Sequence, residues 1–240
     1  MRVFGISDLH ADYAENRQWI KALPRDQYAA DVLLLAGDIS DDFALLQEVL
    51  ATLRERFARV LFVAGNHDLW VHRGDYVCSL EKKAAVYSLC TELEIDTERF
   101  SLQDVDFVPL QSWYDFSFGK PDANLNRAWR DFRACQWPEN LNDAQAVSAH
   151  FLARNEPALE MKRTGKTLIS CSHFLPSLQL MPNWIPESRR RVYPVLGSTA
   201  LGEQIRRLRP DIHLYGHSHV NQALRLGATY YVNNAFATPK

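Results

Sequence analysis

Five short runs along the chain are apolar and rich in leucine or β-branched residues: "RVFGIS" (2–7), "DVLLLAG" (31–37), "RVLFVAG" (59–65), "KTLISCS" (166–172) and "DIHLYG" (211–216). The second, third and fourth are nearly continuous in apolar or small residues, the pattern of strands buried on both faces. Between them the periodicity changes. "DDFALLQEVLATLRERFA" (41–58) places Phe43, Leu46, Val49, Leu50, Leu53 and Phe57 on one stripe, with Asp41 and Asp42 where a helix N-terminus favours negative charge. "STALGEQIRRLRP" (198–210) opens on a Ser/Thr cap and stops at Pro210. "LRLGATYYVNNA" (224–235) alternates around Gly227 and predicts a hairpin. Strands alternating with helices predict an α/β fold with largely parallel pairing.

Each of the five runs ends on polar residues of one kind. Asp8 and His10 follow the first, Asp38 and Asp41 the second, Asn66, His67 and Asp68 the third, His173 the fourth, His217 and His219 the fifth. Ligands of open α/β sheets bind at the carboxyl ends of the strands. If the strands are parallel neighbours, these side chains meet at one edge. Singly, each has a plainer account: Asp8 or Asp38 as a helix cap, "GNHD" as a turn, His173 as a packed histidine. Five such coincidences at five strand ends favour a site.

Composition changes little. The chain has 240 residues, 47% hydrophobic and 23% charged, with a formal net charge of -2. No linker or repeat divides it, so a single domain over 1–240 is expected. The charge provides no general field for nucleic acid, and no apolar stretch approaches the ~20 residues of a membrane span. The first residues do not form a secretory signal, and the four cysteines lack a CxxC spacing. Buried thiols and a cytoplasmic location are the expectation.

The donor set holds carboxylate, amide and imidazole, and no thiolate. That suits manganese or iron first, with zinc, cobalt or nickel as further options, and it is too rich in histidine for calcium. Seven donors exceed one tetrahedral site. Two ions sharing a carboxylate would use them, and such a pair clamps a phosphoryl group and activates a water between the ions.

At these residues the chain resembles the calcineurin-like metallophosphoesterases. Asp8-Leu9-His10, Gly37-Asp38-Ile39-Ser40-Asp41, Gly65-Asn66-His67-Asp68, Ser172-His173 and Gly216-His217-Ser218-His219 are similar to that superfamily's five signatures, in order, over residues 8–219. The resemblance implies a four-layer α-β-β-α sandwich with two mixed β-sheets. It implies that Asp8, His10 and His219 hold one metal, that Asn66, His173 and His217 hold the second, and that Asp38 bridges them. It has His67 donate to the leaving-group oxygen or stabilise the transition state, with Asp41 orienting the ring, and it implies in-line attack by a metal-bridging hydroxide. One position departs: where the protein phosphatases of the superfamily place a phosphate-binding arginine after the second aspartate, this chain has Asp42. A small phosphomonoester or phosphodiester, nucleotides included, is therefore expected rather than a phosphoprotein. A nuclease, or a non-catalytic scaffold binding protein partners on the same fold, are the alternatives.

The substrate side is expected in the insertion around 110–140, dense in aromatics and arginines. Aromatics with arginine can stack a base and grip phosphate, but a satellite core that pins the insertion is the plainer account. Trp113 and Tyr114 are the candidates for facing substrate, with Asn66. "ESRRRV" (187–192) places Arg189 and Arg190 where a loop can bend over the metals, although such runs are more often solvated faces. "RTGKT" (163–167) lacks the upstream glycine of a phosphate loop, since Glu160 stands there.

Overall fold

The computed structural model describes residues 1–74, 76–160 and 163–239. Strands β1 (Val3–Ile6), β2 (Val32–Leu35) and β3 (Arg59–Phe62) form a sheet in the order β1-β2-β3. Helix α1 (Ala14–Lys21) links the first two, and α2 (Phe43–Arg56) the second and third. Each connection is a crossover, so both pairings are parallel. This sheet is thus wholly parallel where mixed pairing was expected.

The second sheet is mixed. Its strands are β4 (Phe100–Leu102), β5 (Val105–Pro109), β6 (Thr167–Cys171), β7 (Ile212–Tyr215), β8 (Gln222–Leu226) and β9 (Thr229–Asn233), in the order β4-β5-β6-β7-β9-β8. The antiparallel pairs are the two hairpins, β4 with β5 and β8 with β9. Gly227 makes the second turn at φ 63°, a conformation that glycine adopts without a Cβ penalty.

Alternation along β2 shows how the layers stack. Leu33 and Leu35 pack with Leu46, Val49, Leu50, Leu53 and Phe57 of α2. Val32 and Leu34 face the other way, into a layer with Phe107, Ile169, Cys171 and Leu214 of the second sheet. The outer face of that sheet packs Leu168 and Tyr215 against Leu201, Ile205 and Leu208 of α8 (Thr199–Leu208). Helix, sheet, sheet and helix are the four layers that the resemblance implies.

The caps follow the sequence with one shift. The Asp42 carboxylate accepts from Leu45 N at 3.0 Å and so caps α2 rather than lying in its first turn. Ser198 caps α8 through Leu201 N at 3.1 Å. Between them lies α3 (Ser79–Glu92). The insertion around 110–140 folds as α4 (Ala123–Ala128) and α5 (Asp131–Ala134), and α6 (Ala144–Ala153) and α7 (Glu156–Leu159) follow it; a fourth cluster there contains Trp70, Trp113, Tyr114, Phe151 and Phe174. Among the described residues no helix is long and apolar enough to cross a membrane.

Candidate metal centre

Register determines where the site forms. Ile6 pairs with Leu35, and Leu35 with Phe62, so β1, β2 and β3 end level and release Asp8, Asp38 and Asn66 side by side. In the second sheet Cys171 pairs with Leu214, which brings His173 and His217 to the same edge. A bridge from Ser7 to Ala235, with Ser7 N donating to Asn234 O at 3.1 Å, ties the two sheets together there.

Three overlapping groups of side chains that can hold a metal ion result: Asp8, His10 and His219; Asp38, His173 and His217; and His10, Asp38 and His67. All seven donors expected from the sequence meet. His10 Nε2 lies 3.1 Å from His219 Nε2, which lies 3.2 Å from Asp8 Oδ1. His173 Nε2 lies 3.0 Å from Asn66 Oδ1, 3.1 Å from His217 Nδ1 and 3.4 Å from Asp38 Oδ1.

Surrounding carbonyls select the tautomers. His173 Nδ1 donates to Ala36 O at 2.8 Å and His217 Nε2 to Val195 O at 3.0 Å. The nitrogens left over, Nε2 of His173 and Nδ1 of His217, both present lone pairs to the same point. Two imidazole lone pairs, an amide oxygen and a carboxylate oxygen converging there call for a shared cation. The nearby carboxylates draw positive charge to that point, and where no metal takes it a proton settles on His173 Nε2. Burial lowers the His173 pKa, yet Asp38 and Asp8 outweigh it and raise the group to about 9. Burial and its neighbour His173 push His217 down to about 3. Burial opposes ionisation of Asp38, but His173 and His67 hold its carboxyl well below the usual range.

Backbone contacts leave room for ligands and little else. A Cβ at Gly37, whose φ is 81°, would stand 2.7 Å from His173 Nδ1. One at Gly65 would stand 2.6 Å from Asp38 N and 2.8 Å from His173 Cε1. The loops pack this closely because the Asp68 carboxylate gathers them, accepting from the backbone N–H groups of Asp38 (2.9 Å), Ile39 (2.8 Å), Ser40 (3.3 Å) and Gly65 (2.8 Å). Burial and the nearby Asp38 charge raise Asp68 to about 7, against those donors. The donor set, the fixed tautomers and the glycine cradle all fit metal ions.

Two residues were absent from the expected set. Asp68, the last residue of "GNHD", is a loop tie that the motif itself could have revealed. Asp131, buried in the insertion, accepts from Asn66 Nδ2 at 2.9 Å, Trp70 Nε1 at 2.7 Å and Trp129 Nε1 at 2.8 Å. Burial raises its carboxyl to about 6. A lone aspartate in "AWRDFRA" carries no pattern that signals this.

Other expectations fall differently. His67 sits beside the donors, its ring Nε2 3.9 Å from Asp38 Oδ2 and its backbone N–H donating to Asp38 Oδ1 at 2.9 Å. Its ring is stacked on Trp70, centroids 3.7 Å apart. Asp41 does not orient it: Asp41 Oδ1 accepts from Arg73 Nη2 at 2.8 Å, and Oδ2 lies 3.0 Å from His72 Nε2. The full charge of Arg73 captures the carboxylate, and among the described residues no hydrogen bond joins Asp41 to His67. Trp113 and Tyr114, each 2% exposed, pack against Phe174 in an aromatic cluster. Arg190 fastens its own loop, donating to Ile185 O and Asn183 O at 3.0 Å, while Arg189 is exposed.

A family model for calcineurin-like phosphoesterases matches residues 1–221. The chain belongs to that family. A curated relative, the acyl-carrier-protein phosphodiesterase PptH of Mycobacterium tuberculosis, is 29% identical over 131 residues, spanning 51% of this chain and 40% of PptH. The solved structure of phosphopantetheinyl hydrolase (PptH) from that organism superposes with TM-score 0.79 at 22% identity, covering 99% of this chain and 90% of PptH. TT1561 of Thermus thermophilus shares the fold more distantly, TM-score 0.54 at 15% identity over 96% of this chain and 87% of TT1561.

Proposed function

We propose that this member of the calcineurin-like phosphoesterase family is a binuclear metal-dependent phosphodiesterase. The observation that carries the reading is the meeting of two donor sets around one shared carboxylate, Asp38, with His67 at their margin. Asp8, His10 and His219 would hold one ion, Asn66, His173 and His217 the other, and Asp38 would bridge. Divalent ions held there neutralise phosphoryl charge and make water a nucleophile near neutral pH.

The chain's own groups do the rest. Burial holds His67 at about 4, so at neutral pH its imidazole is uncharged and offers an N–H to the departing or phosphoryl oxygen. Trp70 fixes the plane of that ring. Ala36 O and Val195 O prevent His173 and His217 from turning their bare nitrogens away from the site.

For the substrate, the PptH relative favours a diester, with acyl carrier protein bearing a phosphopantetheinyl group as the compound to test first. Arg73, the arginine nearest Asp41 and Asp42, is occupied by carboxylates, which agrees with a protein that does not grip phosphomonoesters as protein phosphatases do. The test is hydrolysis of bis-p-nitrophenyl phosphate, p-nitrophenyl phosphate and phosphopantetheinylated carrier protein by chelated and manganese-loaded enzyme. Manganese-dependent turnover with diesters preferred is expected. A loaded protein inert toward all three would refute the reading.

A further inference from the structure

Asp131 is a carboxylate with no cationic partner among its described hydrogen bonds. It is 3% exposed and held by neutral donors: the Asn66 amide, the Trp70 indole and the Trp129 indole, with the Tyr114 hydroxyl as a further hydrogen-bond partner. Burying an ionisable group in an aromatic cluster is costly, so its presence calls for a chemical reason. The reason lies in the ambiguity of asparagine. An amide offers an oxygen at one end and an NH2 at the other, and a metal accepts only the oxygen. A partner with two acceptor oxygens and no donor settles the choice: Asp131 Oδ1 takes Asn66 Nδ2 at 2.9 Å, and Asn66 Oδ1 turns toward His173 Nε2 at 3.0 Å. A side-chain amide at 131 could present its own NH2 and permit the flip.

The same carboxylate reaches further. Trp70, whose N–H also ends on Asp131 Oδ1, supplies the face on which His67 stacks. Trp129, bound to Oδ2, sets its ring edgewise against His217, centroids 5.8 Å apart. We propose that Asp131 is a positioning residue through which the 110–140 insertion locks the Asn66 amide oxygen toward the second ion and, by way of Trp70, fixes the plane of His67. The proposal rests on the binuclear reading above.

The experiment counts ions rather than turnovers. Wild-type and Asp131→Asn proteins are stripped with chelator, and manganese binding is followed by titration calorimetry and elemental analysis. The variant should keep the ion of Asp8, His10 and His219 at wild-type affinity and lose about 10- to 100-fold at the second. Adding Asn66→Asp to Asp131→Asn exchanges donor and acceptor across the same contact and should recover second-ion affinity to within a few-fold. That rescue would not follow from a packing defect. Wild-type affinity for both ions in the folded variant overturns the proposal, as does loss of both ions together with a large fall in metal-free Tm.

If Asp131→Asn does not fold, Asn66→Asp alone reads the contact. Two carboxylates then face each other, and metal-free stability should fall and return when Asp131→Asn is added. Additive effects overturn the proposal. A wild type that binds one ion or none removes the binuclear reading and this one with it. Two ions with no turnover on the ester panel removes the activity and leaves Asp131 supported by the binding data.

Discussion

Five proposed ligands share a backbone peculiarity. Asp8, His10, Asp38, His217 and His219 have φ of 54°, 40°, 58°, 67° and 53°, in the left-handed region that most non-glycine residues avoid. Aspartate and histidine tolerate it better than others, but each such residue still costs roughly 1–3 kcal/mol. The left-handed kink lets two donors one residue apart, Asp8 with His10 and His217 with His219, both reach the centre. Asp38→Asn keeps size and backbone preference while removing the charge shared by both donor sets. It should lose both ions by elemental analysis and all detectable turnover, with little change in metal-free circular dichroism. His67→Ala should keep both ions and lower kcat about 100- to 10,000-fold, as for a lost general acid or donor. A fall in bound metal would place His67 among the ligands instead. The seven donors were legible because each ends an apolar run. Asp131 was not, because its partners, Asn66 and Trp70, are more than sixty residues away. Trp70 was within reach of the sequence, standing three residues after His67 on one 3-10 turn.

Adjacent lysines on α3 show how an element serves the site and what that costs. Lys82 is buried and its Nζ donates to Asp41 O at 2.7 Å and Trp70 O at 2.6 Å, holding the loops after β2 and β3 together. Lys82→Met should strand both carbonyls and lower stability by about 1–3 kcal/mol in denaturant unfolding. Lys83 has a different character. Burial, with Arg154 nearby, lowers its pKa to about 8, while its Nζ lies 4.2 Å above the Tyr87 ring. The unfolded chain holds this proton up to about pH 10.4. Between about 8 and 10 the unfolded state therefore binds more protons, and this group makes stability rise with pH. Below pH 8 both states are charged and the burial penalty is felt in full. Lys83→Met should raise Tm at pH 7 and remove that part of the rise toward pH 10, as thermal unfolding across pH will show. Helices α2 and α8 were legible from stripe and cap. The insertion's function was not, since burial of Trp113 and Tyr114 depends on Phe151 and Phe174, far along the chain.

At the scale of the molecule, the sandwich holds two half-sites face to face. Sheet-to-sheet packing of Val32 and Leu34 on Phe107, Ile169 and Leu214 sets their spacing, so metal and fold should be thermodynamically linked. Ions at a hundredfold excess over Kd add ~2.7 kcal/mol to stability. For a domain of this size that is about 5–10 °C in Tm, lost on chelation and regained with manganese. A chelated protein with unchanged Tm would show that the ions do not bind the folded state tightly. The α/β class was legible because strand and helix patterns alternate, whereas the four layers came from the resemblance of the five motifs. The purely parallel first sheet was hidden, because pairing direction depends on which strands become neighbours.

The bridge from Ser7 to Ala235 and the donor sets it gathers have a bearing on biosynthesis. Asp8 and His10 are translated well before their companion His219, which comes near the last strands. Asp38 and Asn66 likewise wait for His173 and His217. A nascent chain holding only the first sheet presents carboxylates and imidazoles with neither set complete. Metal capture by the proposed centre would thus be deferred until the second sheet closes, and a chain cut off before residue 210 should leave the ribosome unable to hold either proposed ion.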